Sequence, residues 1–176
     1  LLKATKAGIS AKKIVFSGIG KTEEEIRMAI KKRVLLINVE SESEVNLINK
    51  ISKKISRKTS IGIRLNPNIT GKTHQKISTG GKDEKFGLVY KDFINLSKKI
   101  RKMKSLKLEG ISVHIGSQIT NIKPFKKVLF IINKIINETK INFKFIDLGG
   151  GMGISYSKKE RQINLRQYAK LVNKFI

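Results

Sequence analysis

Leu108-Glu109-Gly110-Ile111-Ser112-Val113-His114-Ile115-Gly116-Ser117-Gln118 starts as an apolar strand and ends in an imidazole, a glycine, a hydroxyl and an amide. One helix-length stretch later, Phe145-Ile146-Asp147-Leu148-Gly149-Gly150-Gly151-Met152-Gly153 repeats the form, a short apolar run that ends in glycines. The segment between them, Pro124 to Glu138, has helical spacing with proline at a tolerated first-turn position. Strand, helix and strand in this order make a βαβ unit, the connection that parallel strands require.

The same alternation extends outward in both directions. Lys13 to Ser17 is a short β-rich run, followed by a helical stretch from Thr22 to about Lys32. Val34 to Val39 reads as a strand. Glu42 to Ser56 reads as a helix with Leu47, Ile48, Ile51 and Ile55 on one face. Ile61 to Asn66 is a strand stopped by Pro67, and a long polar loop runs from there to about Val89. Asp92 to Met103 and a stretch from about Leu165 are helical, and the opening Leu1 to Lys6 reads like the middle of a helix. Most strands look apolar on both faces, as buried parallel strands do. Five strands separated by helices imply an α/β fold in one domain. An open doubly wound sheet and a (β/α)8 barrel both suit this order. Chemically active side chains at the C-terminal ends of successive strands favour the barrel, of which three further strands would be needed.

Composition limits the partners. With 39% hydrophobic residues before glycine is counted, 176 residues suffice for one domain with a real core. The absence of cysteine excludes a disulfide framework, a thiolate metal site and a cysteine nucleophile in this segment, and fits a reducing cytosol. The strongest apolar run, Val128 to Ile136, is broken by Asn133 and Lys134, short of the roughly 20 apolar residues of a membrane span. The net charge of +25 invites a nucleic-acid reading. However, the cations are mostly lysine, are spread along the chain, and accompany abundant Ile and Asn that share A/T-rich codons. A dedicated binder would concentrate arginine and aromatic platforms. Specific nucleic-acid binding is therefore not expected, although weak adhesion at low salt is.

Gly18-Ile19-Gly20-Lys21-Thr22 imitates a phosphate-binding P-loop, but Val15 stands where the pattern needs its first glycine. Glu23, Glu24 and Glu25 follow and would repel a nucleotide. A turn into a helix capped by Thr22, with Glu25 completing a capping box, is the better reading. The glycines at 149–151 and 153 miss the dinucleotide fingerprint, because Ile154 replaces its last glycine. Adjacent glycines after a buried strand still let backbone N–H groups approach a ligand closely and form an anion-binding concavity. His114 can stack on a flat ring and Ser117 can donate to a phosphate oxygen. Either could instead belong to a capped turn, and the pairing with the glycine run favours function. The two strand ends together suit a phosphorylated aromatic cofactor. Arg64 lies in an apolar strand and either faces solvent from an edge strand or, if buried, needs a carboxylate or a cofactor as partner, and spacing alone does not decide. His74, in the long loop, has no acidic or thiol neighbour at ligand spacing, so no metal site is expected.

These residues resemble the diaminopimelate branch of the pyridoxal-phosphate barrel decarboxylases. The matching landmarks are Lys13-Ile14-Val15-Phe16-Ser17-Gly18, Arg64-Leu65-Asn66-Pro67, Thr73-His74 with Ile77-Ser78-Thr79-Gly80, Lys85-Phe86-Gly87, His114-Ile115-Gly116-Ser117-Gln118 and Asp147-Leu148-Gly149-Gly150-Gly151. The resemblance implies a (β/α)8 TIM barrel, of which residues 1–176 are the central part of the pyridoxal-phosphate-binding domain, about strands three to seven of eight. It implies that His114 stacks on pyridoxal 5'-phosphate and Ser117 lies near its phosphate. It further implies that Gly150 and Gly151 give backbone contacts, Gly151 the more important, and that Arg64 supports the cofactor from beneath. The His74 to Gly80 loop would border the site. The Schiff-base lysine is expected upstream of Leu1, and a Glu-Pro-Gly-Arg segment and a β-rich domain after Ile176. The segment alone is then expected to be inactive. The implied reaction is decarboxylation of meso-diaminopimelate to L-lysine by a cytoplasmic homodimer. Another basic amino-acid decarboxylase and a non-catalytic cationic binding module are the alternatives.

Overall fold

The computed structural model describes residues 1–69, 86–156 and 162–175. Helix α1 (Leu2–Lys6) and a 3-10 turn (Ala11–Lys13) lead into strand β1 (Val15–Phe16). Then follow α2 (Glu23–Lys32), β2 (Leu36–Val39), α3 (Glu42–Lys54), β3 (Thr59–Leu65), α4 (Tyr90–Arg101), β4 (Leu106–Val113), α5 (Lys123–Thr139), β5 (Phe145–Asp147) and α6 (Leu165–Phe175). All sheet pairings are parallel and the strand order is β1-β2-β3-β4-β5. A doubly wound sheet reverses its strand order at a switch point; this one does not. Crossovers of a single hand, each moving one strand further in the same direction, put the connecting helices α2 to α5 on one face, and the sheet curls away from them. The result is five strands of a curled half-barrel, which resolves the choice of fold in favour of the barrel.

Local sequence accounts for the element ends. The Thr22 hydroxyl accepts from the Glu25 backbone N–H while the Glu25 carboxylate accepts from the Thr22 N–H, so the capping box forms. Ser41 caps α3 by accepting from Glu44 N–H. Strand β4 starts and ends two residues earlier than the Leu108 to Ile115 that its sequence predicts, and β5 is shorter at both ends than the predicted Phe143 to Leu148.

Register divides each strand between two faces. Val39, Ile63, Ile111 and Ile146 form one row across β2 to β5, and Leu65 pairs with Val113 above it. These residues pack with Ile26, Val45, Ile48, Phe93, Phe125 and Ile132 of the helices in the main core. The alternating rows differ. One is Asn38, Gly62, Gly110 and Phe145, and the next is Arg64, Ser112 and Asp147. The expectation of strands apolar on both faces therefore holds only for the helix-covered face. On the other face glycine leaves room: a Cβ on Gly62 would lie 2.4 Å from Asn38 Oδ1, and one on Gly110 would lie 2.7 Å from Leu36 Cδ2. The inner row narrows to glycine where Leu36 and Asn38 reach across it, and becomes polar toward the C-terminal rim.

Candidate functional site

The rim formed by the C-terminal ends of the strands carries the singled-out residues. His114 is the first residue past β4 and is exposed. Gly149, two residues past β5, has φ +69, and a Cβ there would lie 2.4 Å from Val113 O and 3.2 Å from His114 Nδ1. The Asp147 Oδ1 acceptor holds Gly149 N–H at 2.9 Å and starts the turn. Gly151 then packs onto the preceding loop: a Cβ would fall 1.8 Å from Gly116 O and 3.3 Å from Ser117 Cα. The two loops are joined as a short parallel bridge, with Ile119 N–H donating to Gly151 O at 2.8 Å and Gly153 N–H to Ile119 O at 2.9 Å. Gln118 fastens the far end. Its Oε1 accepts from Ile154 N–H and its Nε2 donates to Tyr156 Oη, each at 3.0 Å. Gly150 is exposed, with no atom within 4 Å of where its Cβ would be. His114, Ser117, Gly150 and Gly151 are thus brought to one place, bordering open space.

Arg64 lies lower on the same face, in the row that continues through Ser112 to Asp147. Its Nη1 donates to both oxygens of Glu40, at 2.9 and 3.1 Å, and its guanidinium lies 5.7 Å from the centre of the Phe86 ring. The partner is therefore a carboxylate on the neighbouring strand end. Beside it, Ser112 Oγ is buried without a hydrogen-bond partner. At the opposite rim, Ser60 and Lys144 bond Glu109. Partial burial pushes the Glu109 carboxyl up, but these bonds outweigh it and hold the group below its ordinary value.

Sequence reading missed several members of this arrangement. Glu40 lies one residue beyond β2, where only the register with β3 reveals that it reaches Arg64. Lys21 and Glu44 form a second ion pair at 2.7 Å. The spacing of Asp147 to Gly149 is a recognisable turn signal that could have assigned Asp147 its role. The P-loop resemblance is settled: the Lys21 ammonium is engaged by Glu44 and by the Gly18 carbonyl. The loop Thr73 to Gly80, with His74 and Lys85, lies outside the described residues. Among the described residues, no group of three or more His, Cys, Asp or Glu could hold a metal ion, and no helix is long and apolar enough to cross a membrane.

The donor set suits a phosphorylated, planar cofactor. Backbone N–H groups in a glycine turn and a hydroxyl can address an anion, an exposed imidazole can stack on a ring face, and the buried Ser112 hydroxyl has no protein partner among the described residues. Residues 1–176 match the family described as pyridoxal-dependent decarboxylase, pyridoxal binding domain. The diaminopimelate decarboxylase of Campylobacter jejuni is 41% identical over 175 residues, covering 96% of this chain and 42% of that protein. The crystal structure of diaminopimelate decarboxylase from Helicobacter pylori complexed with L-lysine superposes with TM-score 0.88 at 39% identity, over 99% of this chain and 45% of that one. The M. jannaschii diaminopimelate decarboxylase in co-complex with L-lysine gives TM-score 0.85 at 36% identity, over 98% and 41%. The chain thus spans about two-fifths of the length of the relatives it matches. With its half-barrel, its glycine turn against His114 and this match along its full length, the chain belongs to the pyridoxal-dependent decarboxylases, in the part that forms their pyridoxal binding domain.

Proposed function

We propose that the chain is the central part of the pyridoxal-phosphate-binding barrel domain of an enzyme that decarboxylates meso-diaminopimelate to L-lysine. The observation that carries this reading is the seating of Gly151 against Gly116 and Ser117, which sets the glycine turn beside Ser117 and His114. In this reading Gly150, Gly151 and Ser117 hold the cofactor's phosphate, and His114 fixes the ring plane. Arg64 supports the site from below, kept there by Glu40. When bound, the cofactor supplies an electron sink for the charge left by departing carbon dioxide. The protein's tasks are to orient the ring and limit water access.

Relatives bound to L-lysine support a small amino-acid ligand of that class. A cytoplasmic homodimer is the assembly that goes with the family resemblance. The test is an assay of the full-length gene product loaded with pyridoxal phosphate, offered diaminopimelate, ornithine and arginine. Release of carbon dioxide and lysine from diaminopimelate in preference to the others is expected. Preference for ornithine or arginine would replace the substrate, and absence of cofactor binding would overturn the reading.

A further inference from the structure

Lys21 is the most deeply buried cation among the ion pairs of the described residues, with its side chain 3% exposed, and the site as described does not use it. Removing a lysine and a carboxylate from water costs several kcal/mol per ion unless the geometry repays it. Here the ammonium donates to Glu44 Oε1 and to the Gly18 carbonyl and lies 6.0 Å from the Phe16 ring centre. The second oxygen of Glu44 accepts from the Glu40 backbone N–H at 2.8 Å. The Glu40 side chain in turn takes the Arg64 guanidinium. One continuous polar chain therefore runs across the ends of β1, β2 and β3, from a buried ammonium to the one arginine placed in the site.

We propose that Lys21 and Glu44 are positioning residues, which hold Arg64 in place by fixing the backbone and carboxylate of Glu40. This deepens the pyridoxal-phosphate reading and rests on it. A purely structural role, a helix cap plus a loop anchor, is the competing account. Ser41 already caps α3, so the cap needs no buried lysine. The two accounts differ in whether Lys21 and Arg64 are coupled.

The experiment is a double-mutant cycle in the full-length gene product, with Lys21→Met and Arg64→Lys alone and together. Two quantities are read: pyridoxal-phosphate affinity, from absorbance titration of the apoprotein, and thermal stability of the apoprotein. Lys21→Met should weaken cofactor affinity about tenfold when Arg64 is present and less than about twofold when it is replaced, as for residues in one network. Lys21→Arg, which keeps the charge, should restore most of the affinity. Loss of stability should likewise be smaller when Arg64 is replaced, since Lys21 then no longer supports the Glu40–Arg64 pair. Glu44→Gln repeats the cycle with a milder change, so that a misfolded Lys21→Met variant does not end the test. Equal loss of affinity in both backgrounds, or unchanged affinity beside lowered stability, overturns the relay. A wild-type protein that binds no pyridoxal phosphate overturns the functional reading itself, a different result from additive losses in a protein that binds it.

Discussion

A methyl group added to Gly151 would lie 1.8 Å from the Gly116 carbonyl, on a residue whose φ is +84. Both the contact and the dihedral oppose any side chain, and the neighbour is backbone that cannot swing aside. The adjacent Gly150 has neither restriction, since its Cβ position is open and its φ is not in the left-handed region. Gly151→Ala should therefore destabilise the protein by about 1–3 kcal/mol, the usual cost of a strained backbone position. It should also weaken pyridoxal-phosphate binding by displacing the loop of Ser117. Gly150→Ala should leave stability within about 0.5 kcal/mol of wild type, as open surface changes do. Urea unfolding of both variants measures the contrast, and equal damage at the two positions would refute the packing described for Gly151. Sequence marked this run as a ligand-approach loop, because glycine clusters have few other uses after a buried strand. Which glycine is indispensable depends on a contact with a loop more than thirty residues earlier, and no local pattern encodes that.

Helices α4 and α5 are joined at one end by Tyr90, whose hydroxyl donates to Glu138. Burial, then the hydrogen bond and the negative charge of Glu138, push the phenol from its ordinary 10.0 up to about 12. The group is neutral when it donates, so its raised folded pKa contributes stability that is fully present below pH 10. That contribution is lost as pH rises through about 12. Tyr90→Phe should be less stable than wild type at neutral pH, and the gap should close between these two values. Thermal melts across the alkaline range, paired with the tyrosinate absorbance, measure it; a gap constant with pH would exclude the linkage. At the scale of elements the sequence was largely readable. The capping box at Thr22 and Glu25 was visible because its partners are three residues apart. The Arg64–Glu40 pair was not, because its partners sit on neighbouring strands 24 residues apart and meet only through register. The inner face of the sheet was hidden for a related reason. Asn38, Gly62, Ser112 and Asp147 occur singly in apolar strands and become a polar surface only when the strands align. The irregularity at Ile61 and Gly62, where β4 inserts Glu109, further shifts the alignment that simple alternation predicts.

Thirty-eight basic residues against thirteen acidic ones leave most cations without a carboxylate, whatever pairs form. Among the described residues the ion pairs fall into three groups. Lys21–Glu44 and Arg64–Glu40 are well shielded, Arg27–Glu23 and Lys99–Glu42 lie in solvent, and Lys144–Glu109 joins an exposed lysine to a shielded carboxylate. Exposed pairs contribute at most about 1 kcal/mol and weaken with salt. Shielded pairs are screened much less. The remaining term, repulsion among the unpaired cations, opposes the compact state and is relieved by screening. Lowering the Debye length from about 30 Å at 0.01 M salt to about 8 Å at 0.15 M removes most of that repulsion between neighbouring surface lysines. The sign of the salt effect follows from which term is larger, and the excess of 25 positive charges places it with repulsion. Thermal stability should therefore rise from low to physiological sodium chloride. It should change little with a neutral osmotic control of equal osmolality, and DNA retention is expected to be weak at low salt and to fall over the same range. Melting curves over a salt series, with DNA retention measured in parallel, test both statements. A melting temperature that falls with added salt would show that attraction within the ion pairs outweighs the repulsion of the excess charge.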